Sequence, residues 1–109
     1  MPAVRSLTLH RGDRHVHEVR LWTYDEEANL WAPVNISGFE YEAIIYESAS
    51  DQTELLAYTV SVTSASGGYI LCELSSASVN LLAIGTYFHV FRDITNDLRI
   101  LTGPATVRG

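Results

Sequence analysis

Apolar positions along this chain recur at every second residue in short runs rich in Val, Ile, Thr, Tyr and Phe: "RSLTLH", "HVHEVRLW", "FEYEAIIY", "LLAYTVSVT", "YILCEL", "TYFHVFRDI" and "LRILTGPATV". A period of two marks half-buried strands, and "RGDR", "YDEEANLWAPVNISG", "ESASDQ", "SASGG", "SSASVNLLAIG" and "TND" separate them with turn and loop residues. One separator has a different pattern. "SSASVNLLAIG" opens on serines suited to a helix N-cap and closes on Gly85, which predicts a single helical turn with Val79, Leu81 and Leu82 covering the end of the core. The pattern as a whole predicts an all-β chain, an immunoglobulin-like two-layer β-sandwich of about seven strands with one short helical turn, as a single domain over residues 1–109. Residues 1–10 read as an N-terminal arm or edge strand, because alternating leucines suit strand addition to a neighbour.

Within each run the alternation sorts the faces. In "FEYEAIIY", Glu40 and Glu42 point out, which sends Phe39, Tyr41, Ala43 and Ile45 in; in "LLAYTVSV" the inward set is Leu56, Tyr58, Val60 and Val62. Tyr87 follows a leucine-and-glycine approach as a tyrosine corner does, with its hydroxyl bonding backbone across the corner, and His89 and Phe91 share its face. Phe88, Val90, Ile44, Tyr46, Tyr69 and Leu71 then point the other way, leaving outer faces too apolar to stay wet. Together with the N-terminal segment these form the candidate interface: Val4, Arg5, Leu7, Leu9, Ile44, Tyr46, Tyr69, Leu71, Phe88 and Val90. Gly12, Asp13, Gly38, Gly68, Gly85, Tyr87 and Gly103 read as turn and corner residues, and Pro104 limits the last strand to an edge or a bulge.

Charge narrows the partners. All seven basic residues are arginines, and Asp25 to Glu54 carries eight acids and no base, within a net charge of −6. That balance excludes nucleic acid, which needs a basic surface, while an acidic middle and an arginine-rich start suit head-to-tail packing of copies. The apolar runs are too short to span a bilayer, so no membrane partner is expected. "MPAVRSLTLHRGD" carries no apolar run of a secretory signal, which predicts synthesis in a cytoplasm. Cys72 is the only cysteine and sits among apolar neighbours, as a small core residue does.

Candidate chemistry is sparse. "RGD" precedes a strand and reads as a turn rather than a displayed ligand, with Gly12 supplying conformational freedom. His15 and His17 share a strand face with Val19 and Leu21, and His10 lies a turn away; two imidazoles are not a metal site, and this pair is expected at a sandwich end or an interface. No nucleophile elbow, no phosphate loop and no carboxylate pair flanking a cleft is present in the pattern. The chain is therefore expected to be no enzyme, with no cofactor and no metal.

"LTLHRGDRHVHEVRLW", "APVNISGFEYEAII", "SASGGYILCELSSASVNLLAIGTYFHVF" and "LRILTGPATV" together resemble the small β-sandwich modules of tailed-bacteriophage virion proteins, including the N-terminal domain of upper-baseplate proteins that attach receptor-binding fibres. The matching positions are Arg11, Gly12 and Asp13; Ile36, Ser37 and Gly38; Gly67, Gly68, Leu74 and Ser75; Leu82, Gly85 and Tyr87; and Leu101, Gly103 and Val107. The resemblance implies a virion structural protein made in the bacterial host cytoplasm, a tail or baseplate assembly module whose partners are other virion proteins and copies of itself. Two alternatives remain at this point: a capsid decoration protein stabilising the head, and a carbohydrate-binding adhesin-like sandwich using Trp22, Tyr24 and Trp31 as a stacking platform. Tyr87→Ala is expected to cost on the order of a few kcal/mol through lost packing and a lost hydroxyl bond, read as a fall in melting temperature.

Overall fold

The alternating runs become strands in a computed structural model that describes residues 3–51 and 53–109. In chain order the elements are β1 (Ala3–Val4), β2 (Leu7–His10), β3 (His15–Arg20), β4 (Trp22–Asp25), β5 (Leu30–Pro33), β6 (Tyr41–Tyr46), β7 (Glu54–Ala57), β8 (Thr59–Ser64), β9 (Tyr69–Leu74), α1 (Ser76–Val79), β10 (Gly85–Asp93) and β11 (Leu98–Arg108). They form a six-stranded sheet, β1-β11-β10-β6-β7 with β2 also on β11, a three-stranded sheet, β3-β9-β8, and the separate β4-β5 hairpin. The inward residues of the two larger sheets share one core: Leu9, Ile45, Phe91 and Val107 from the first meet Ile70 and Cys72 from the second. Tyr41, the first residue of β6, lies nearly parallel to Phe91 at 5.6 Å between ring centroids.

The chain is all-β, but its elements differ from the seven runs. Among the described residues there are eleven strands. "LLAYTVSVT" is split because the chain leaves the six-stranded sheet after Ala57 and joins the three-stranded one at Thr59. Tyr58 makes the crossing, with its amide on the Ala43 carbonyl at 2.8 Å and its ring buried in the core. Val62 pairs with buried Ile70 and so keeps the inward side, but β8 is the edge strand of its sheet and Val62 stays 43% exposed. Phe39 is likewise exposed: residues 36–39 turn, with the Phe39 amide on the Ile36 carbonyl, and Ile36 fills the core position instead.

The helical turn has its serine cap, the Ser75 hydroxyl accepting from the Ser78 amide at 3.2 Å. It ends at Asn80, so Gly85 is the first residue of β10 rather than a helix cap. Val79 and Leu82, three residues apart, share the buried side, which leaves Leu81 77% exposed instead of covering the core.

Residues 3–10 are no free arm. β1 runs parallel to Leu101–Thr102 and β2 parallel to Ala105–Arg108, so both lie along β11 of the same chain. Leu7 and Leu9 therefore face the core and contribute nothing to a surface. Pro104 sits inside β11, not on an edge: Thr102 turns its carbonyl toward Arg5, so Pro104, two residues on, points its nitrogen the same way, into the gap between β1 and β2. At that gap the Arg5 carbonyl lies where a side chain on Gly103 would begin.

Gly103→Ala would force the Arg5 crossing outward, at about 1–3 kcal/mol, whereas a Cβ at Gly85 meets nothing within 4 Å. Urea unfolding is expected to show a clear loss of midpoint for Gly103→Ala and a change of less than about 0.5 kcal/mol for Gly85→Ala.

Candidate interaction surface

β3 continues past the three-stranded sheet into the β4-β5 hairpin. Its strands pair Trp22 with Pro33 and Tyr24 with Trp31 on one face and Thr23 with Ala32 on the other, and the backbone pairing runs on to Asp25 and Leu30. The alternation of Trp22 and Tyr24, mirrored by Trp31 and Pro33, together with an asparagine in the turn, was the signal for a hairpin where the sequence reading placed a loop. Asn29 takes the left-handed conformation, φ 55°, and accepts a hydrogen bond from the Tyr24 hydroxyl.

The hairpin stands on a fixed base. Leu21 donates to the Gly68 carbonyl and Val34 to the Leu21 carbonyl, both at 2.9 Å. Gly68 is required there, for its φ is +72° and a Cβ would come within 2.7 Å of the Leu21 carbonyl oxygen. Above that base the rings stay in solvent. Trp31 is 66% exposed, Trp22 and Tyr24 are exposed beside it, and Tyr24 and Trp31 lie 5.3 Å apart. Arg20 extends the stripe back onto the three-stranded sheet, its guanidinium 3.9 Å from the Trp22 ring and 4.3 Å from the Tyr69 ring. A two-stranded ribbon is marginal alone in water, and this one is held by its base on Gly68 and by Arg20 over Trp22, with the Tyr24–Trp31 pair tilted at 54° adding to it.

The expected interface residues do not form one patch. Ile44 and Val90 pair on the outer face of the six-stranded sheet but are only 6% and 2% exposed, because half-buried Tyr46 and Phe88 flank them. They set the floor of that face rather than its contact area. Arg92 bridges Glu42 at 3.6 Å and Asp97 at 2.6 Å at its hairpin end. Tyr69 and Leu71 lie on the opposite side of the molecule, outward from β9, with Tyr69 under Arg20. Val4 is exposed, and the Arg5 side chain reaches the Glu18 carbonyl at 3.2 Å. Gly38 and Gly12 each adopt positive φ in turns. The Gly12 amide donates to the Asn80 side chain at 2.8 Å and the Asp13 amide to the His10 carbonyl at 3.1 Å, which ties the Arg-Gly-Asp turn to the end of α1. The Tyr87 hydroxyl donates to the Ala83 carbonyl at 2.8 Å.

His15 and His17 point between the sheets, not to a sandwich end. Their rings are 5.3 Å apart, and Tyr58 meets both edge-on and hydrogen-bonds His15 Nδ1 at 3.0 Å. His89 faces them from the six-stranded sheet, donating from Nε2 to the Arg5 carbonyl at 2.6 Å. Among the described residues no three His, Cys, Asp or Glu side chains are placed to hold a metal ion. His10 is exposed on β2, away from the pair. Burial is the first cause that holds all three inner imidazoles below their usual range, and the nearby Arg5 cation adds to it. His17, 7% exposed and with Nδ1 lacking a partner, is pushed down to about 4. Burial also lifts the Cys72 thiol, which pairs across from His17, to about 11.

An unfolded imidazole takes its proton near 6.5, and folded His17 only near 4. The unfolded chain binds more protons between those values, so stability falls as pH drops through that window, by ~3 kcal/mol in full. Urea midpoints measured from neutral pH down to about 4.5 are expected to decline steadily, and His17→Gln is expected to flatten the decline.

A scan against models of protein families and a search of curated proteins returned no match to this chain.

Proposed function

We propose that this chain is a non-enzymatic assembly module of a tailed-bacteriophage virion, placed in the tail or baseplate where it attaches or adapts fibres. The observation that carries the reading is the β4-β5 hairpin, a ribbon outside both larger sheets that keeps Trp22, Tyr24 and Trp31 in solvent at the cost of an apolar stripe. Exposed aromatics rimmed by charge are the usual anchors of protein interfaces. An immunoglobulin-like sandwich supports the same reading. What supports inferring such a sandwich is the strand order β2-β11-β10-β6-β7 in one sheet and β3-β9-β8 in the other, with α1 between β9 and β10 and the Tyr87 hydroxyl on the Ala83 carbonyl; on that reading the hairpin occupies the connection between the second and third principal strands. The "RGD", "ISG" and "GTY" positions of the phage resemblance fall at the β2–β3 turn, the entry to β6 and the start of β10.

The mechanism is repeated burial. Each copy contributes contacts that raise the barrier to disassembly, and symmetry multiplies them without a chemical step. A second reading, glycan binding, draws on the same Tyr24–Trp31 pair, since flat exposed rings stack on sugar faces.

Mass spectrometry of purified particles is expected to find the chain, with copies on the order of tens for the tail and hundreds for head decoration. Trp31→Ala should reduce its incorporation at least tenfold with an unchanged melting temperature. Absence from particles would refute the proposal, and glycan-array binding that Trp31→Ala abolishes would favour the second reading.

A further inference from the structure

We propose that residues 3–6 are a strap that acid releases: protonation of the imidazoles beneath it lifts β1 and the Arg5 crossing off the sandwich while the fold from β2 onward holds.

The strap closes one side of the molecule. β1 and β2 lie along β11 at the edge of the six-stranded sheet, and β3 is an edge of the three-stranded one. Between β1 and β2 the Arg5 backbone crosses the inner side of β11, where its carbonyl occupies the space of a Cβ on Gly103. Arg5 joins the two edges. On the large sheet its amide donates to the Thr102 carbonyl at 2.9 Å and its carbonyl accepts from His89 Nε2 at 2.6 Å, and its guanidinium donates to the Glu18 carbonyl of β3 at 3.2 Å. Apolar contact adds little here, because Ala3, Val4, Arg5 and Ser6 are all exposed and burial begins at Leu7. An opening that starts at this edge therefore stops at Leu7.

Beneath the strap is a seam of imidazoles without a counter-charge. His15 and His17 enter it from β3, His89 from β10, Tyr58 from the crossing between the sheets, and Cys72 from β9 opposite His17. Among the described residues no carboxylate faces these rings. Glu18 and Glu73 alternate to the outer face of their sheet, and inward Asp93, four residues beyond His89, is bonded to the amide and the side chain of Asn96. Burial is the main cause that lowers the proton affinity of all three rings, and the Arg5 cation acts in the same direction on each. His17 Nδ1 lacks a hydrogen-bond partner, so a charge on that ring would stand unsolvated with His15 5.3 Å away. Lifting the strap removes the guanidinium and admits water in one movement. The rings then titrate near their ordinary range, whereas under the closed strap they titrate below it, so falling pH between those ranges favours the lifted state. The loss is local before it is global.

Amide exchange followed by NMR between pH 7 and pH 5, each rate divided by that of an unstructured chain at the same pH, reads both events. The Arg5 amide reports the strap, and the Cys72 amide, on the central strand of its sheet, reports unfolding of the whole. Arg5 is expected to be at least tenfold less protected than Cys72 at pH 7 and to lose about a further tenfold by pH 5. His17→Gln should reduce that further loss to less than threefold. Arg5→Gln, at an exposed position and with the backbone carbonyl kept, should also make it smaller than in the parent, and decides alone if His17→Gln does not fold. Arg5 protection indifferent to pH, as simple fraying of a terminus gives, overturns the inference. Protection equal to that of Cys72 at every pH overturns it as well, since the seam then opens only with the entire fold, and so does a pH-dependent loss that the folded variants leave unchanged.

Discussion

The carbonyl of Arg5 is the point at which the sandwich closes. It passes over Gly103 at a distance no side chain would allow, accepts a hydrogen bond from His89 Nε2 at 2.6 Å, and belongs to a residue whose amide donates to the Thr102 carbonyl at 2.9 Å. Those contacts let one edge of the six-stranded sheet be made in two steps, β1 and then β2, with the break set where Pro104 has no donor to offer. They also fix which nitrogen of His89 carries hydrogen, and bring the Arg5 cation close to imidazoles that burial already keeps neutral. A polar seam inside an apolar core is tolerated because its members bond one another, except at His17 Nδ1.

Outside that core the molecule divides its apolar surface between two places. On the large sheet Phe88 and Tyr46 shelter Val90 and Ile44, so the face is apolar yet smooth. On the hairpin the rings stand clear, held only by one another, by Arg20 and by the Gly68 turn beneath. The first has the character of a platform and the second that of a projection.

Much of this was legible before any coordinates. The alternation of β9 and β10 placed Ile70, Cys72, His89 and Phe91 inside, and the serine cap of α1 and the Tyr87 corner depend on short-range geometry that a few residues specify. The errors have separate causes. Leu7 and Leu9 had the right period, but period does not say whether a strand pairs with its own chain or with another, and here β11 was available. The hairpin was hidden because its strands are only four residues long and its turn is a run of acids, so charge masked the alternation of Trp22 and Tyr24. The inward turn of His15 and His17 was unreadable for a different reason: their partners, Tyr58 and His89, come from distant parts of the chain, and only the tertiary fold brings them together.

One consequence concerns the single sulfhydryl. Cys72 has no exposed surface, and burial keeps it protonated well above physiological pH, so the native state offers an alkylating reagent nothing to attack. Modification must wait for β9 to separate from its neighbours. The chain therefore contains its own clock for native-state opening, and the rate at which that thiol is capped reports how often the two layers part.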